Sequence, residues 1–171
     1  MRRFLDRIYD GCAYAAGVFL VLILAFTLLG IAGGIFDFYV RGTDAFAGYC
    51  MAASSFLALA HTFRKGEHIR VTLVLEQLSG RPRRWMELLC LAVAALLAGA
   101  FAGYAAKMVW WSYAFNDISA SNDRTPLWIP QIGMALGGFV LFVALVDELT
   151  QVTQGKDPAA PPPDAEAAHI E

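Results

Sequence analysis

Four stretches of this chain contain no Asp, Glu, Lys or Arg, and each is 19 to 26 residues long. They cover residues 11–36, 45–63, 88–106 and 125–146, which is half of the 171-residue sequence. A hydrocarbon layer about 30 Å thick is crossed by about 20 helical residues. No water inside that layer satisfies backbone N–H and C=O groups, so a spanning segment must be a helix or belong to a closed barrel. A barrel would show alternating segments of about 10 residues. Here Leu, Ala, Val and Phe run together without that alternation. The pattern predicts an all-α integral membrane protein with four transmembrane helices, residues 1–150, followed by a tail. The first apolar run exceeds the roughly 7–15 residues of a cleavable signal. Arg2-Arg3-Phe4-Leu5 also lacks the spacer of a twin-arginine signal, so the segment is read as a retained helix.

Composition agrees. Charged residues make up 16% of the chain, against about 25% in soluble domains, and the mean hydropathy is +0.52. The net charge of −2 offers nothing to nucleic acid. Cys12, Cys50 and Cys90 are far apart in apolar runs, without the spacing of a zinc site or a disulfide framework. They read as small buried hydrophobes.

The placement of the positive residues sets an expected orientation. The N-terminus carries Arg2, Arg3 and Arg7; the second connection carries Arg64, Lys65, Arg70, Arg81, Arg83 and Arg84; the tail carries Lys156. With four spans these regions share one side, which then holds ten of the thirteen positive residues. Arg41, Lys107 and Arg124 fall on the other. Both termini are expected in the cytoplasm. Aromatic rings favour the headgroup level. Phe36, Phe38 and Tyr39 close the first span, Trp85 opens the third, Trp110, Trp111 and Tyr113 follow it, and Trp128 lies at the start of the fourth.

The connections differ in character. In the second, Ile69, Val71, Val74, Leu75 and Leu78 form a stripe at helical spacing before Ser79-Gly80-Arg81-Pro82 breaks it. This predicts a short amphipathic helix on the cytoplasmic surface, with Arg81, Arg83 and Arg84 near anionic headgroups. The third connection, rich in Asn, Asp and Ser over 116–123, is expected outside the bilayer. Residues 151–171, Pro-rich from Gly155 onward, read as a disordered cytoplasmic tail.

Ionisable groups inside a membrane are costly and mark pathways. The four spans hold none except His61 near the end of the second. Carboxylates or broken helices at mid-depth, expected of a self-sufficient coupled pump, are missing from the pattern. A bis-histidine haem site wants paired histidines within the bundle. Here His68 lies in a loop and His169 in the tail. Ser54-Ser55 has no acid nearby in sequence and is read as a backbone-bonding or packing pair. No cofactor, metal site or catalytic set is expected. The spans do carry three GxxxG pairs, Gly30/Gly34, Gly99/Gly103 and Gly133/Gly137, whose small residues let helix backbones approach.

The end of the second span, Phe56-Leu57-Ala58-Leu59-Ala60-His61-Thr62-Phe63-Arg64-Lys65-Gly66-Glu67-His68-Ile69-Arg70-Val71, resembles the small membrane subunit of tripartite ATP-independent periplasmic (TRAP) transporters, the DctQ-like component. That family shows an apolar helix running into a charged turn and a His-hydrophobic-Arg-Val segment. An acidic residue often follows in the family, where this chain has Thr72. Ser121 to Pro130, with Pro126 and Trp128, also resembles the start of the family's last helix. The resemblance covers about residues 1–150 in size and span order. It implies a non-catalytic bacterial inner-membrane subunit that enlarges the scaffold for a large membrane subunit. That partner holds the substrate and sodium sites, and a periplasmic solute-binding protein delivers the solute, often an organic acid. Under this reading Glu67, His68 and Arg70 fix the turn into the surface helix or touch the large subunit. Asp117, Asp123 and Arg124 are candidates for contact with the binding protein. The competing readings are a membrane-anchor subunit of a respiratory enzyme and a stand-alone small exporter.

Overall fold

The computed structural model describes residues 2–38, 40–64, 81–121 and 123–154. It contains α1 (Arg2–Ile35), α2 (Thr43–Arg64), α3 (Arg81–Ala114) and α4 (Trp128–Thr153). All four are long and apolar enough to cross a membrane. The expected surface helix over 69–79, Tyr39, and the tail from residue 155 lie outside the described residues.

The helices begin and end where backbone geometry requires. Asp37 adopts φ 54° just after α1, and Gly42 adopts φ 80° just before α2. Together they reverse the chain within a few residues. Asp44 sits in the first turn of α2, where a carboxylate meets the positive end of the helix dipole. Asn116, at φ 51°, closes α3; Asn tolerates this left-handed conformation better than most residues. Pro130 lies in the first turn of α4, where its missing N–H would have had no helical acceptor anyway. At 34 residues each, α1 and α3 are about 51 Å long at 1.5 Å per residue. They therefore project well beyond the hydrocarbon layer. α4 continues to Thr153, past the boundary at residue 150 read from composition. The ladder of backbone bonds does not stop with the last apolar side chain.

The helices form an open row. α1 packs on α2, α2 on α4, and α4 on α3, so α1 and α3 are the edges and α2 and α4 the middle. Lipid tails are as apolar as Leu, so burying large side chains gives little drive for helices to associate in a membrane. Close approach of small residues does more. Among the described residues, eight of the thirteen buried apolar ones are accordingly alanines. Large apolar side chains turn outward: Leu20, Val21 and Leu24 on α1, and Leu89, Leu96 and Leu97 on α3. Between residues 17 and 32 of α1 nothing is buried. A soluble monomer rarely exposes such contiguous apolar surface.

The central position of α2 explains why it is the least apolar of the four. Its polar groups find partners on both sides. Ser54, only 5% exposed, donates its hydroxyl proton to the Ala16 carbonyl of α1 at 2.9 Å. This is the backbone-bonding role expected of that serine. Thr62 bonds back to the carbonyls of Ala58 and Leu59. On the other side, Ala53 and the Phe56 backbone pack against Gly133 and Gly137 of α4. Phe101 of α3 reaches over Gly138 to stack on Phe56, with ring centroids 5.3 Å apart.

Candidate functional site

The row has two polar ends and an apolar middle, and the residues of interest lie at all three levels. At the end that carries both short connections, the α3–α4 loop folds back on itself. Ile118 and Pro126 form an isolated antiparallel bridge. The Ser119 N–H donates to the Thr125 carbonyl at 2.9 Å, and the Leu127 N–H to the Asp117 carbonyl at 3.0 Å. The side chains of Ser119 and Asp123 face α2. Ser119 Oγ lies 3.0 Å from Asp123 Oδ1. The Tyr49 hydroxyl lies 2.9 Å from Ser119 Oγ and 3.1 Å from Asp123 Oδ2. Each hydroxyl has one proton, so Ser119 donates to the carboxylate while Tyr49 donates to the carboxylate or to Ser119. The Ser121 N–H donates to Ser119 Oγ at 3.2 Å. The Thr125 hydroxyl, and after it those of Ser119 and Tyr49, hold the Asp123 carboxyl below its ordinary value. Hydrogen bonds to the charged form favour that form.

Asp123 also seals the two connections together. A methyl group on Gly42 would come within 2.6 Å of the Asp123 Cβ. Gly42 is therefore required twice, for its positive φ and for this approach. Among the predicted site residues, Asp123 thus turns inward onto α2. Asp117 stays exposed with its carboxylate 3.4 Å from Ser112 Oγ. Arg124 is exposed and adopts φ 50°. Tyr49, Gly42, Ser119 and Thr125 belong to this cluster but were not picked out from sequence. Tyr49 sits in an apolar helix, 74 residues from Asp123, and no local pattern announces the pairing.

The opposite end carries the chain's described termini. Tyr9 of α1, 2% exposed, inserts between Ala60 of α2 and Ala144 of α4. The His61 Nδ1 of α2 lies 3.6 Å from Asp10 Oδ1 of α1. Arg84 of α3 donates to the Val152 and Thr153 carbonyls of α4 at 3.1 and 3.3 Å. It thereby places a cation on the carbonyls of the last turn of α4. Glu67, His68 and Arg70 lie outside the described residues. The described residues contain no group of three or more His, Cys, Asp or Glu placed to hold a metal ion.

In the middle, the GxxxG pairs part company. Gly133 and Gly137 both touch α2. Gly99 lies under the Phe142 ring, whereas a Cβ on Gly103 would meet no neighbour within 4 Å, and Gly103 lines an open groove between α3 and α4. The groove, about 520 Å³, is walled by Ala106, Leu136 and Phe139. Gly30 meets the Thr43 side chain, and Gly34 meets nothing. Besides Gly42, two glycines outside the pairs make close contacts, Gly33 with the Phe38 carbonyl and Gly138 with the Phe101 ring.

An open row of spanning-length helices, with an apolar exterior and, among the described residues, polar clusters at its ends, defines the class: a multi-pass membrane protein built from packing contacts. Residues 23–155 match the family model for tripartite ATP-independent periplasmic transporters, DctQ component, and the chain belongs to that family. It is a small component of a TRAP-type transporter. Comparison with curated proteins finds no match.

Proposed function

We propose that this chain is the non-catalytic small permease subunit of a TRAP transporter in the bacterial inner membrane, with both termini in the cytoplasm. It serves as a scaffold for a large membrane subunit that carries out sodium-coupled uptake. A periplasmic solute-binding protein delivers the solute, an organic acid by family resemblance. The observation that carries the reading is the family match over 23–155. Two features support it. The open row leaves the apolar edges α1 and α3 for lipid and a membrane partner. The described ionisable side chains gather at the ends of the row, and a pump that worked alone would need them at mid-depth. The excess of Lys and Arg on the side of the termini supports the orientation. The end bearing Asp117, Asp123 and Arg124 then faces the periplasm.

Glu67, His68 and Arg70 belong to the cytoplasmic side in this reading. They hold the turn after α2 or contact the large subunit. Substituting His68 and Arg70 by Ala should reduce the amount of assembled complex.

The test of the function is co-purification of the tagged chain with a much larger membrane subunit, followed by uptake into liposomes. Sodium-dependent uptake should need both subunits and a soluble binding protein. Solute flux by this chain alone, or full uptake without it, would refute the proposal.

A further inference from the structure

We infer that the open groove between α3 and α4 is a phospholipid site. It takes one acyl chain from the leaflet on the side of the two short connections, and Lys107 meets the phosphate. The inference goes beyond the proposed function and needs only that the chain spans a membrane.

The dimensions of the groove select its occupant. It runs from Gly99 to Val109 on α3 and from Phe142 to Ile132 on α4. At 1.5 Å per residue each wall is about 15 Å long, half of a hydrocarbon layer about 30 Å thick. Gly99 and Phe142 lie near the middle of their helices, where the two leaflets meet. There the Phe142 ring rests on Gly99 and bridges α3 and α4. One turn beyond Val109 and Ile132, Tyr113 and Trp128 bridge them again, edge to face. The groove is therefore as long as one leaflet is deep. A helix of another protein crossing the whole layer would have to ride over both bridges, whereas a lipid tail lies between them. The walls are apolar, and Leu136 and Phe139 present more than half of their surface outward. A tail laid along them gains dispersion contacts that the open groove lacks.

Charge complementarity fixes the other end of the lipid. Lys107 lies one turn beyond Gly103 on the same side of α3. Its Nζ reaches 4.8 Å over the Trp111 ring, a further turn toward the loop. The ammonium thus snorkels to the level of the interfacial aromatic rings. Among the described residues no carboxylate pairs with it. Asp117, beyond the end of α3, lies against Ser112, and Asp123 accepts from hydroxyls. Asp37 and Asp44 flank the α1–α2 connection, with α4 standing between α2 and α3. A tail whose tip reaches Gly99 carries its phosphate to the depth of this ammonium.

The experiment uses the full chain, in the membrane complex in which it purifies, in phosphatidylcholine nanodiscs. The probe is a trace of phosphatidylglycerol with a diazirine in the middle of one acyl chain. After photolysis, labels are mapped by peptide mass spectrometry on residues 132–142 of α4. Residues 20–31 of α1, outward-facing in the same leaflet, give the reference for ordinary lipid contact. In the wild type the groove should be labelled well above that reference. Gly103→Phe fills the groove from a position where a Cβ meets no neighbour. It should bring the label on α4 down to the α1 level at an unchanged melting temperature. Lys107→Gln should lower the label on α4 about fivefold, and Lys107→Arg should preserve it. Equal labelling of α4 and α1 in the wild type, or undiminished α4 labelling in Gly103→Phe, would overturn the site. Undiminished labelling in Lys107→Gln would overturn the phosphate contact. Loss of a co-purifying membrane protein in Gly103→Phe would show that a helix of that protein covers the groove, and would also overturn the site. None of these outcomes depends on solute uptake, so the proposed function stands or falls separately.

Discussion

Gly137 of α4 lies directly against the Phe56 backbone carbonyl of α2, so closely that a methyl group on Gly137 would overlap it. The atom in the way is backbone, which cannot rotate aside as a side chain would. Replacing Gly137 by Ala should push α2 and α4 apart and cost about 1–3 kcal/mol. Replacing Gly103, whose Cβ position is open, should stay within about 0.5 kcal/mol. Thermal unfolding of the two variants in the same detergent makes the comparison. Equal melting temperatures would mean the α2–α4 contact is not a determinant of stability.

Ser54 links α2 to α1 through the Ala16 carbonyl. Interhelical hydrogen bonds in membranes are worth about 0.6 kcal/mol on average. Ser54→Ala should therefore destabilise only mildly, because the Ala16 carbonyl keeps its place in the helix. Ser54→Leu, which forces a large side chain into a buried site, should cost about 1–3 kcal/mol. Unfolding free energies of the two variants, measured side by side, should fall in that order.

Arg84 caps the C-terminal carbonyls of α4 from α3. Losing a cation at a helix C-terminus costs about 0.3–1 kcal/mol. Arg84→Gln should speed hydrogen exchange over residues 150–154 and leave the middle of α4 protected. Uniform exchange along the helix would show that Arg84 holds the fold as a whole and not this end of it.

The Asp123 carboxyl is held below its ordinary value of 3.8. A depressed carboxyl stabilises the folded form above the unfolded value, and this contribution is lost as pH falls through the lower, folded value. The α3–α4 loop should therefore keep its shape from neutral pH down to about pH 4 and loosen only below that. Trp128 packs edge-on against Tyr113 beside this loop, with centroids 5.7 Å apart. Its fluorescence, isolated by replacing the other tryptophans with Phe, should report the transition. Asp123→Asn should abolish the acid-dependent step; a step that survives in that variant would place the titrating group elsewhere.

Charge-free length was enough to determine that four segments cross a membrane as helices, because the hydrocarbon layer rejects unsatisfied backbone and unpaired charge alike. It underestimated the helices themselves: α3 begins at Arg81 and ends at Ala114, whereas its apolar window covers 88–106. The window measures the hydrocarbon layer, while the helix continues for as long as its backbone bonds are made. The family resemblance was legible too, since it rests on a contiguous run of residues at the end of α2. The order of packing was not. Gly103 and Gly137 each sit in a GxxxG pair, yet one faces open space and the other a neighbouring backbone. Which face of a helix meets a neighbour depends on all the helices at once. Asp123 read, with Asp117 and Arg124, as a candidate partner contact in an exposed loop. Only the fold brings Tyr49 and Gly42 to it, turning a charge expected to face a partner into the group that sets the loop. Composition and spacing determine what enters the membrane because lipid acts on each segment separately. Contacts between distant residues are decided by tertiary structure because they exist only once the helices have taken their places.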